Sequence, residues 1–328
     1  MALRKRVVVV GLGSIGRRHA RLLHQRADMD VQFCEPSRDM LALAYRDVGE
    51  LPVHHSYEEA LGANPDFVVI ATPHQLHGEQ TVEALERGVH VLCEKPMSDR
   101  LEDARKMLAA AEESDALLSV GFMLHFNPLL LRLKELIDGG VLGRVMAVQY
   151  KVGSYITLVN SRSRYQADMQ GALLMDYAHQ PDTIHWLLGK KPRGVYCTGA
   201  TGGDMEFSSD PNILTLVCDY EEPLVATVTL NYVQMPERQE CEVVGDRGWA
   251  LLDFKLGEIR IGNRENDDIT LESFPVVRDE MYQREHQVFL DAIEGRGRLS
   301  SPAEEAIVSM EIVEAAMLSR RKKQRVTL

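Results

Sequence analysis

Short apolar runs alternate with amphipathic stretches over residues 6–122. The runs are residues 6–10, 31–35, 67–73, 89–93 and 117–122, and the intervening stretches have helical spacing at 14–26, 39–46, 75–87 and onward from Ser98. Continuous β-branched runs are typical of parallel strands that are buried on both faces. Strand and helix in alternation predict an α/β fold with a doubly wound parallel sheet.

The pattern changes after Asn127-Pro128. A helix is predicted over 129–138, followed by strands over 144–152, 212–220, 223–232, 239–245 and 249–254, and a final helix over 302–321. Within 223–232 every second residue is apolar, which indicates an antiparallel sheet with one covered face. A chain of 328 residues favours two domains, which we place at 1–123 and 124–328.

Composition disfavours several classes of binding partner. The net charge of −12 disfavours binding to nucleic acid. The five scattered cysteines form no C-x-x-C pair, which predicts reduced thiols in a cytoplasmic protein and neither a disulfide framework nor a zinc site. No apolar run reaches the ~18 residues of a membrane span, so no membrane partner is predicted.

A glycine-rich turn follows the first apolar run. Gly11 permits a tight turn, Gly13 allows close approach of a pyrophosphate, and Gly16 allows close packing of helix on strand. The helix that begins at Ser14 and Ile15 presents backbone N–H groups to phosphate. This context predicts a dinucleotide site.

Glu35 ends the second apolar run and suits the adenosine ribose of NAD. Ser37 and Arg38 follow, and an arginine here can accommodate a 2′-phosphate, so NADP remains an alternative. The run 67–73 ends at the carboxyl edge of the sheet, where ligands bind. We therefore expect cofactor contacts from Ala71, Thr72, Pro73, His74 and His77. A metal at the two histidines lacks a third ligand and is not predicted.

The run 89–93 leads directly into Glu94-Lys95-Pro96. Long charged side chains are seldom buried without partners, so this stretch is either a surface turn or the wall of a cleft. Pro96 restricts Lys95 to an extended backbone, which aims its side chain.

Five motifs together resemble the glucose–fructose oxidoreductase, inositol dehydrogenase and rhizopine-catabolism (Gfo/Idh/MocA) family. They are VVVVGLGSIGRRHA, ATPHQLH, CEKPMS, GFMLHFNP and GALLMDYAHQPDTIHWLLG. The resemblance implies an N-terminal Rossmann domain for the dinucleotide. It also implies a C-terminal α/β domain with a large, mostly antiparallel sheet for substrate binding and oligomerisation.

The resemblance also assigns candidate catalytic residues. It places Lys95 at the nicotinamide ribose and substrate, Glu94 beside the cofactor, and the catalytic histidine at His179. Inositol dehydrogenase-like members have an aspartate four residues before this histidine, where this chain has Met175. Asp176 and Asp182 match the D-x-[SA]-H-x-x-D form of other branches, and Asp182 either orients the histidine or caps the helix.

Weaker substrate candidates are His125, Asn127, Tyr155 and Arg164. His125 stands where many relatives have arginine, and the segment from Tyr155 to Tyr165 is either a substrate loop or a solvated one.

The resemblance implies an NAD(P)-dependent dehydrogenase that acts on a secondary alcohol of a sugar, cyclic polyol or sugar derivative. Two alternatives stay open: a redox-neutral glycoside hydrolase with bound NAD, and a non-catalytic dinucleotide sensor. A homodimer or homotetramer is expected by analogy.

Overall fold

The computed structural model describes residues 4–160, 172–265 and 267–328. Contacts within the chain divide it into two units. The first unit is Met1–Phe126 with Val277–Met310, and the second is Asn127–Val276 with Glu311–Leu328. Residues 277–310, which the sequence analysis placed in the C-terminal domain, therefore pack with the N-terminal part of the chain.

The first unit contains a six-stranded parallel sheet in the order β3-β2-β1-β4-β5-β6. Its strands are β1 Lys5–Val10, β2 Met29–Cys34, β3 Val53–His54, β4 Phe67–Ile70, β5 His90–Glu94 and β6 Leu118–Gly121. This order reverses between β1 and β4, which is the point where doubly wound sheets bind ligands. The predicted doubly wound parallel sheet is confirmed.

Helices pack on this sheet. They are α1 Ser14–His24, α2 Arg38–Asp47, α3 Tyr57–Gly62, α4 His77–Glu86 and α5 Leu101–Glu113, with a 3₁₀ helix at Met123–Phe126 and a later helix, α10, at Arg278–Ile293. The sequence analysis left α10 unassigned. It packs into the core that Val7, Phe33 and Phe67 form, and its Phe289 ring meets the Phe67 ring edge to face, with centroids 5.6 Å apart.

The second unit contains a nine-stranded sheet in the order β14-β13-β12-β11-β7-β10-β9-β8-β15. Its strands are β7 Val145–Gly153, β8 Gly194–Ala200, β9 Ile213–Asp219, β10 Val225–Asn231, β11 Arg238–Gly245, β12 Gly248–Asp253, β13 Glu258–Asn263, β14 Ile269–Ser273 and β15 Val326–Thr327. Among the described strands of this second sheet only β7 and β10 pair in parallel. The predicted mostly antiparallel sheet is confirmed, and alternate residues of β10 are buried as the pattern required.

The remaining helices are α6 Pro128–Asp138, α7 Ile156–Asn160, α8 Ala172–Asp176, α9 His179–Leu188 and α11 Ala303–Lys322. None of the helices in the described ranges has the length and apolar character needed to cross a membrane.

Several predicted boundaries differ from the observed ones by one to three residues, and two of these differences have clear local reasons. The helix expected from Ser98 begins at Leu101, because the Ser98 hydroxyl accepts a hydrogen bond from the backbone N–H of Arg100 and so forms a turn. The strand expected to end at Cys93 continues through Glu94, which pairs with Gly121 of β6.

Replacing Phe289 with alanine tests the packing of α10. Phe289 is 2% exposed, so we expect Phe289→Ala to reduce the free energy of unfolding by about 3–5 kcal/mol. The measurement is the midpoint of urea unfolding, with Phe289→Leu as a milder variant that costs under about 1.5 kcal/mol. An unchanged midpoint for Phe289→Ala would contradict the assignment of α10 to the core.

Candidate functional site

The glycine-rich turn between β1 and α1 has the geometry that its spacing predicts. Gly11 has a φ of +85°, and a Cβ there would lie 2.8 Å from the backbone oxygen of Ala71. A Cβ on Gly16 would lie 1.9 Å from the oxygen of Gly11. A Cβ on Gly13 would meet nothing within 4 Å. Two glycines are thus required by packing, while the backbone at Gly13, Ser14 and Ile15 has the open approach that a pyrophosphate needs.

Glu35 is fixed at the carboxyl end of β2. Its Oε2 accepts from the N–H of Leu12 at 2.8 Å, and its Oε1 accepts from the N–H of Ser37 at 2.9 Å. Ser37 also caps α2 through its hydroxyl, and Arg38 is exposed at the first position of that helix. A carboxylate held by two backbone N–H groups presents a fixed negative charge beside the glycine-rich turn.

The segment 71–77 connects β4 to α4 and lies against the glycine-rich turn at Gly11. The Thr72 hydroxyl donates to the side chain of Gln80 at 2.7 Å, and Pro73 and His74 lie between β4 and α4. Both ring nitrogens of His77 face backbone oxygens, that of Pro96 at 3.0 Å and that of Thr72 at 2.9 Å. Burial lowers the pKa of His77 despite these two contacts, and the neutral ring donates to one of the two oxygens. His77 therefore fastens the turn that carries Lys95 to the end of β4.

The contacts of Glu94 explain how a charged side chain can end the apolar strand β5. It is the last residue of β5, is 8% exposed, and its Oε2 accepts from the backbone N–H of Lys95 at 3.1 Å. Its Oε1 lies 2.9 Å from Nε2 of His19. Burial opposes ionisation of Glu94, but the hydrogen bond and charge of His19, together with Lys95, outweigh it and lower its pKa. A Cβ on Gly121 would lie 3.2 Å from the Glu94 carboxyl carbon, so only glycine fits there comfortably.

Lys95 itself is half-buried and precedes a cis peptide bond to Pro96. Within the first unit, the ends of β1, β2, β4 and β5 thus carry most of the residues predicted to bind the cofactor. The contacts of Leu12 with Glu35, Gly11 with Ala71, and His77 with Pro96 join these ends into one edge of the sheet.

Two histidines behind this edge were not predicted from the sequence. His19 lies three residues after Gly16 on α1, and its Nδ1 is 2.6 Å from Nε2 of His286 on α10. Both side chains are buried. The one signal for His19 is its spacing from Gly16, which puts both residues on the face of α1 that packs on the sheet.

Asp176 and His179 lie on consecutive helices of the second unit. Asp176 ends α8 and accepts a hydrogen bond from the hydroxyl of Tyr232, a buried residue just after β10 that the sequence analysis did not single out. Burial, and then the charge of Asp176, raise the pKa of Tyr232. His179 is the first residue of α9, and Asp182 is buried in the first turn of the same helix.

The weaker substrate candidates have varied surroundings. His125 is buried, and its Nδ1 donates to the backbone oxygen of Ser300 at 3.0 Å. The Asn127 side chain caps α6 by accepting from the N–H of Leu129 at 2.9 Å. The Tyr155 hydroxyl accepts from the N–H of Phe207 at 3.4 Å. Arg164 lies outside the described residues. His125 and Asn127 therefore have evident structural partners.

The strand order, the glycine-rich turn and the acidic residue at the end of β2 define a dinucleotide-binding α/β protein. The model of an oxidoreductase family with an NAD-binding Rossmann fold matches residues 5–122, and the model of that family's C-terminal α/β domain matches residues 134–328. The chain belongs to the Gfo/Idh/MocA oxidoreductase family. The prediction of an NAD-dependent oxidoreductase is confirmed at this level.

Individual relatives are distant. The chain is 26% identical to the rhizopine catabolism protein MocA of Rhizobium meliloti over 324 residues, which cover 97% of this chain and 96% of MocA. It resembles scyllo-inositol dehydrogenase from Lactobacillus casei, solved with NAD(H) and scyllo-inositol, at a TM-score of 0.84 and 20% identity, covering 99% of each chain. It also resembles levoglucosan dehydrogenase, solved with NADH and levoglucosan, at a TM-score of 0.87 and 18% identity, again covering 99% of each. The likenesses to these two structures show the fold.

Glu35 is the residue on which we expect the choice between NAD and NADP to depend. Glu35→Gln keeps one oxygen acceptor but removes the charge that repels a 2′-phosphate. We expect NAD⁺ to bind about tenfold more weakly, and the preference for NAD⁺ over NADP⁺ to fall by at least about tenfold. Dissociation constants for both cofactors, measured by calorimetry, check this.

Asp39→Asn is the matched control, because exposed Asp39 lies four residues further along and loses the same charge. An unchanged cofactor preference in Glu35→Gln would show that Glu35 does not face the adenosine ribose.

Proposed function

We propose that the protein transfers a hydride between NAD and a secondary alcohol of a sugar, a cyclic polyol or a sugar derivative. The observation that carries this proposal is the edge of the first sheet, where Glu35, the glycine-rich turn, and Glu94 with Lys95 follow one another along the strand ends. The names of relatives that act on inositol and levoglucosan support a polyhydroxylated substrate.

The residues of the first unit fit the two halves of a dinucleotide. Glu35 and the N–H groups of Gly13, Ser14 and Ile15 would hold the adenosine ribose and the pyrophosphate. The other half then extends past β1 toward the ends of β4 and β5, where the segment 71–77 and Glu94-Lys95 lie. When bound, NAD supplies the hydride acceptor at its nicotinamide ring.

Two side chains of this chain would act on the substrate hydroxyl. Lys95 would donate a hydrogen bond to the substrate oxygen and stabilise the negative charge that develops there. His179 would take the hydroxyl proton on a ring nitrogen. Asp176 would contribute a carboxylate whose position depends on the hydroxyl of Tyr232.

An absorbance assay for reduced nicotinamide tests the function. NAD⁺ and NADP⁺ are supplied in parallel with a panel of sugars, inositols, sugar acids and nucleotide sugars. Growth of near-ultraviolet absorbance with one member of the panel supports the dehydrogenase. Consumption of a glycoside without net NADH would contradict it and favour the redox-neutral hydrolase instead.

Lys95→Met tests the catalytic assignment. It removes the ammonium and keeps most of the side-chain length, so we expect kcat to fall by at least about 100-fold while the NADH dissociation constant changes by less than about threefold. Lys106→Met is the control, since Lys106 is an exposed residue of α5 that pairs with Glu102 and Asp103. Full turnover by Lys95→Met would refute the mechanism.

Tyr232→Phe tests whether the bond to Asp176 matters for catalysis. Loss of a buried hydrogen bond to a carboxylate is expected to lower kcat/KM about tenfold. Tyr220→Phe controls for loss of a hydroxyl from a buried tyrosine of the same unit. The assignment fails if Tyr232→Phe and Tyr220→Phe have the same kcat/KM.

A further inference from the structure

Three buried side chains form a line behind the end of β5 in the first unit. Glu94 Oε1 lies 2.9 Å from His19 Nε2, and His19 Nδ1 lies 2.6 Å from His286 Nε2. The exposed fractions of His19 and His286 are 0% and 2%. The line therefore runs from the residue beside Lys95, through α1, to α10.

The groups around this line limit where positive charge can reside. Burial, reinforced by Glu94, raises the pKa of Glu285 well above its ordinary value, so Glu285 is neutral. Burial, reinforced by His19 and then Arg26, lowers the pKa of His286 well below its ordinary value. His286 therefore disfavours the charged form, and His19 is the imidazole of the pair that lies in direct contact with the Glu94 carboxylate.

The ring of Tyr282 packs edge-on against the His19 ring, with centroids 5.1 Å apart. The guanidinium of Arg18 lies over the Tyr282 ring, 5.5 Å from its centroid. Lys95 contributes a further positive charge near Glu94. Arg278, whose side chain hydrogen-bonds to Tyr282, is a further charged group beside that ring.

Two protonation states preserve both hydrogen bonds of His19. In the neutral state, His19 Nε2–H donates to Glu94, and His19 Nδ1 accepts from His286 Nε2–H. In the charged state, His19 donates from both nitrogens, and His286 accepts at Nε2 and carries its own proton on Nδ1. The states differ by one proton and one shift across the 2.6 Å contact.

Two proton transfers connect these states. A proton from solvent bonds to Nδ1 of His286, the Nε2–H bond of His286 breaks, and that proton bonds to Nδ1 of His19. Nδ1 of His286 is buried and makes no hydrogen bond to any residue in the described ranges. His286 also lines a surface cavity of about 580 Å³ together with Gln25, Arg26 and Glu280, which gives solvent a route to this residue.

We propose that His286 and His19 form a proton relay that places a positive charge beside Glu94 when bound NAD is reduced and withdraws it when NAD is oxidised. The inference rests on the proposed function, which puts the nicotinamide half of the cofactor near the ends of β4 and β5. An oxidised ring is cationic and disfavours a second positive charge nearby, whereas a reduced ring is neutral. His19 and His286 are positioning residues, since they act through Glu94.

Reciprocity of binding sets the sign of the pH dependence. The protonated relay binds NADH better than NAD⁺, so a fall in pH must strengthen NADH binding relative to NAD⁺ binding. For one proton, the ratio of the NAD⁺ dissociation constant to the NADH dissociation constant rises by up to about tenfold per unit fall in pH. The ratio becomes constant at low pH, where the relay is protonated in both cofactor complexes. It is also constant at high pH, where the relay is deprotonated in both.

Calorimetry on the full chain without substrate measures this ratio. NAD⁺ and NADH are titrated between about pH 6 and about pH 9, in two buffers of different ionisation enthalpy, which also gives the number of protons taken up. For the unaltered chain we expect NADH binding to take up more protons than NAD⁺ binding. Equal proton uptake with both cofactors would overturn the proposal without any variant.

His286→Gln is the decisive variant. A glutamine amide can hydrogen-bond to His19 Nδ1 but cannot take a proton from solvent and pass it to His19, so the ratio should lose its dependence on pH while NADH still binds. Circular dichroism checks that His286→Gln folds. If it does not fold, His19→Gln replaces it, because glutamine keeps a donor for Glu94 and should remove the pH dependence in the same way.

His90→Gln is the matched control, because His90 is a partly buried histidine at the opposite end of β5 that accepts from the N–H of Leu117. It should keep the dependence of the unaltered chain. A retained pH dependence in His286→Gln would assign the proton to Glu285 or Lys95 and overturn the relay. If the unaltered chain binds both cofactors with a ratio that does not change with pH, the relay alone fails. If the unaltered chain binds neither cofactor, the proposed function fails with it.

Discussion

The first unit has to keep a carboxylate ionised at the buried end of a strand. Desolvation of Glu94 is the largest single influence on its pKa and acts against ionisation. The opposing contributions come from His19 on α1 and from the backbone and charge of Lys95. Because His19 in turn needs His286, the arrangement requires α10, which returns to the first unit from far along the chain. The charge on Glu94 therefore depends on contacts from three elements, β5, α1 and α10.

A second constraint comes from backbone atoms. Leu12 donates to Glu35, Gly11 lies against Ala71 and Thr72, and Gly16 lies against the oxygen of Gly11. These contacts need no large side chain, so the ends of β1, β2 and β4 are held at fixed spacing by the main chain. A cofactor that spans these ends meets a surface that is already ordered, which reduces the entropy lost on binding.

The features that were predicted correctly depend on residues close together in the sequence. The glycine spacing, the β-branched runs and the alternation in β10 each define an element or a turn by local geometry. The His19–His286 contact joins residues 267 positions apart, and no spacing rule reaches that far. Helix α10 was missed for a related reason: Glu285 and His286 are polar residues on its buried face, so its apolar stripe is interrupted. The predicted helix start at Ser98 was wrong because a serine hydroxyl stabilises a turn as readily as a helix start.

The position of the acid before His179 differs from the inositol dehydrogenase-like pattern, and burial explains the difference. Position 175, four residues before the histidine, is occupied by Met175, which is 2% exposed in the core of the second unit. An unpaired carboxylate at so buried a position would carry a large desolvation penalty. Asp176, by contrast, is half-buried and has a donor in Tyr232. Moving the acid by one residue on a helix turns it about 100° around the axis, so its carboxylate faces a different direction from that of an acid at position 175.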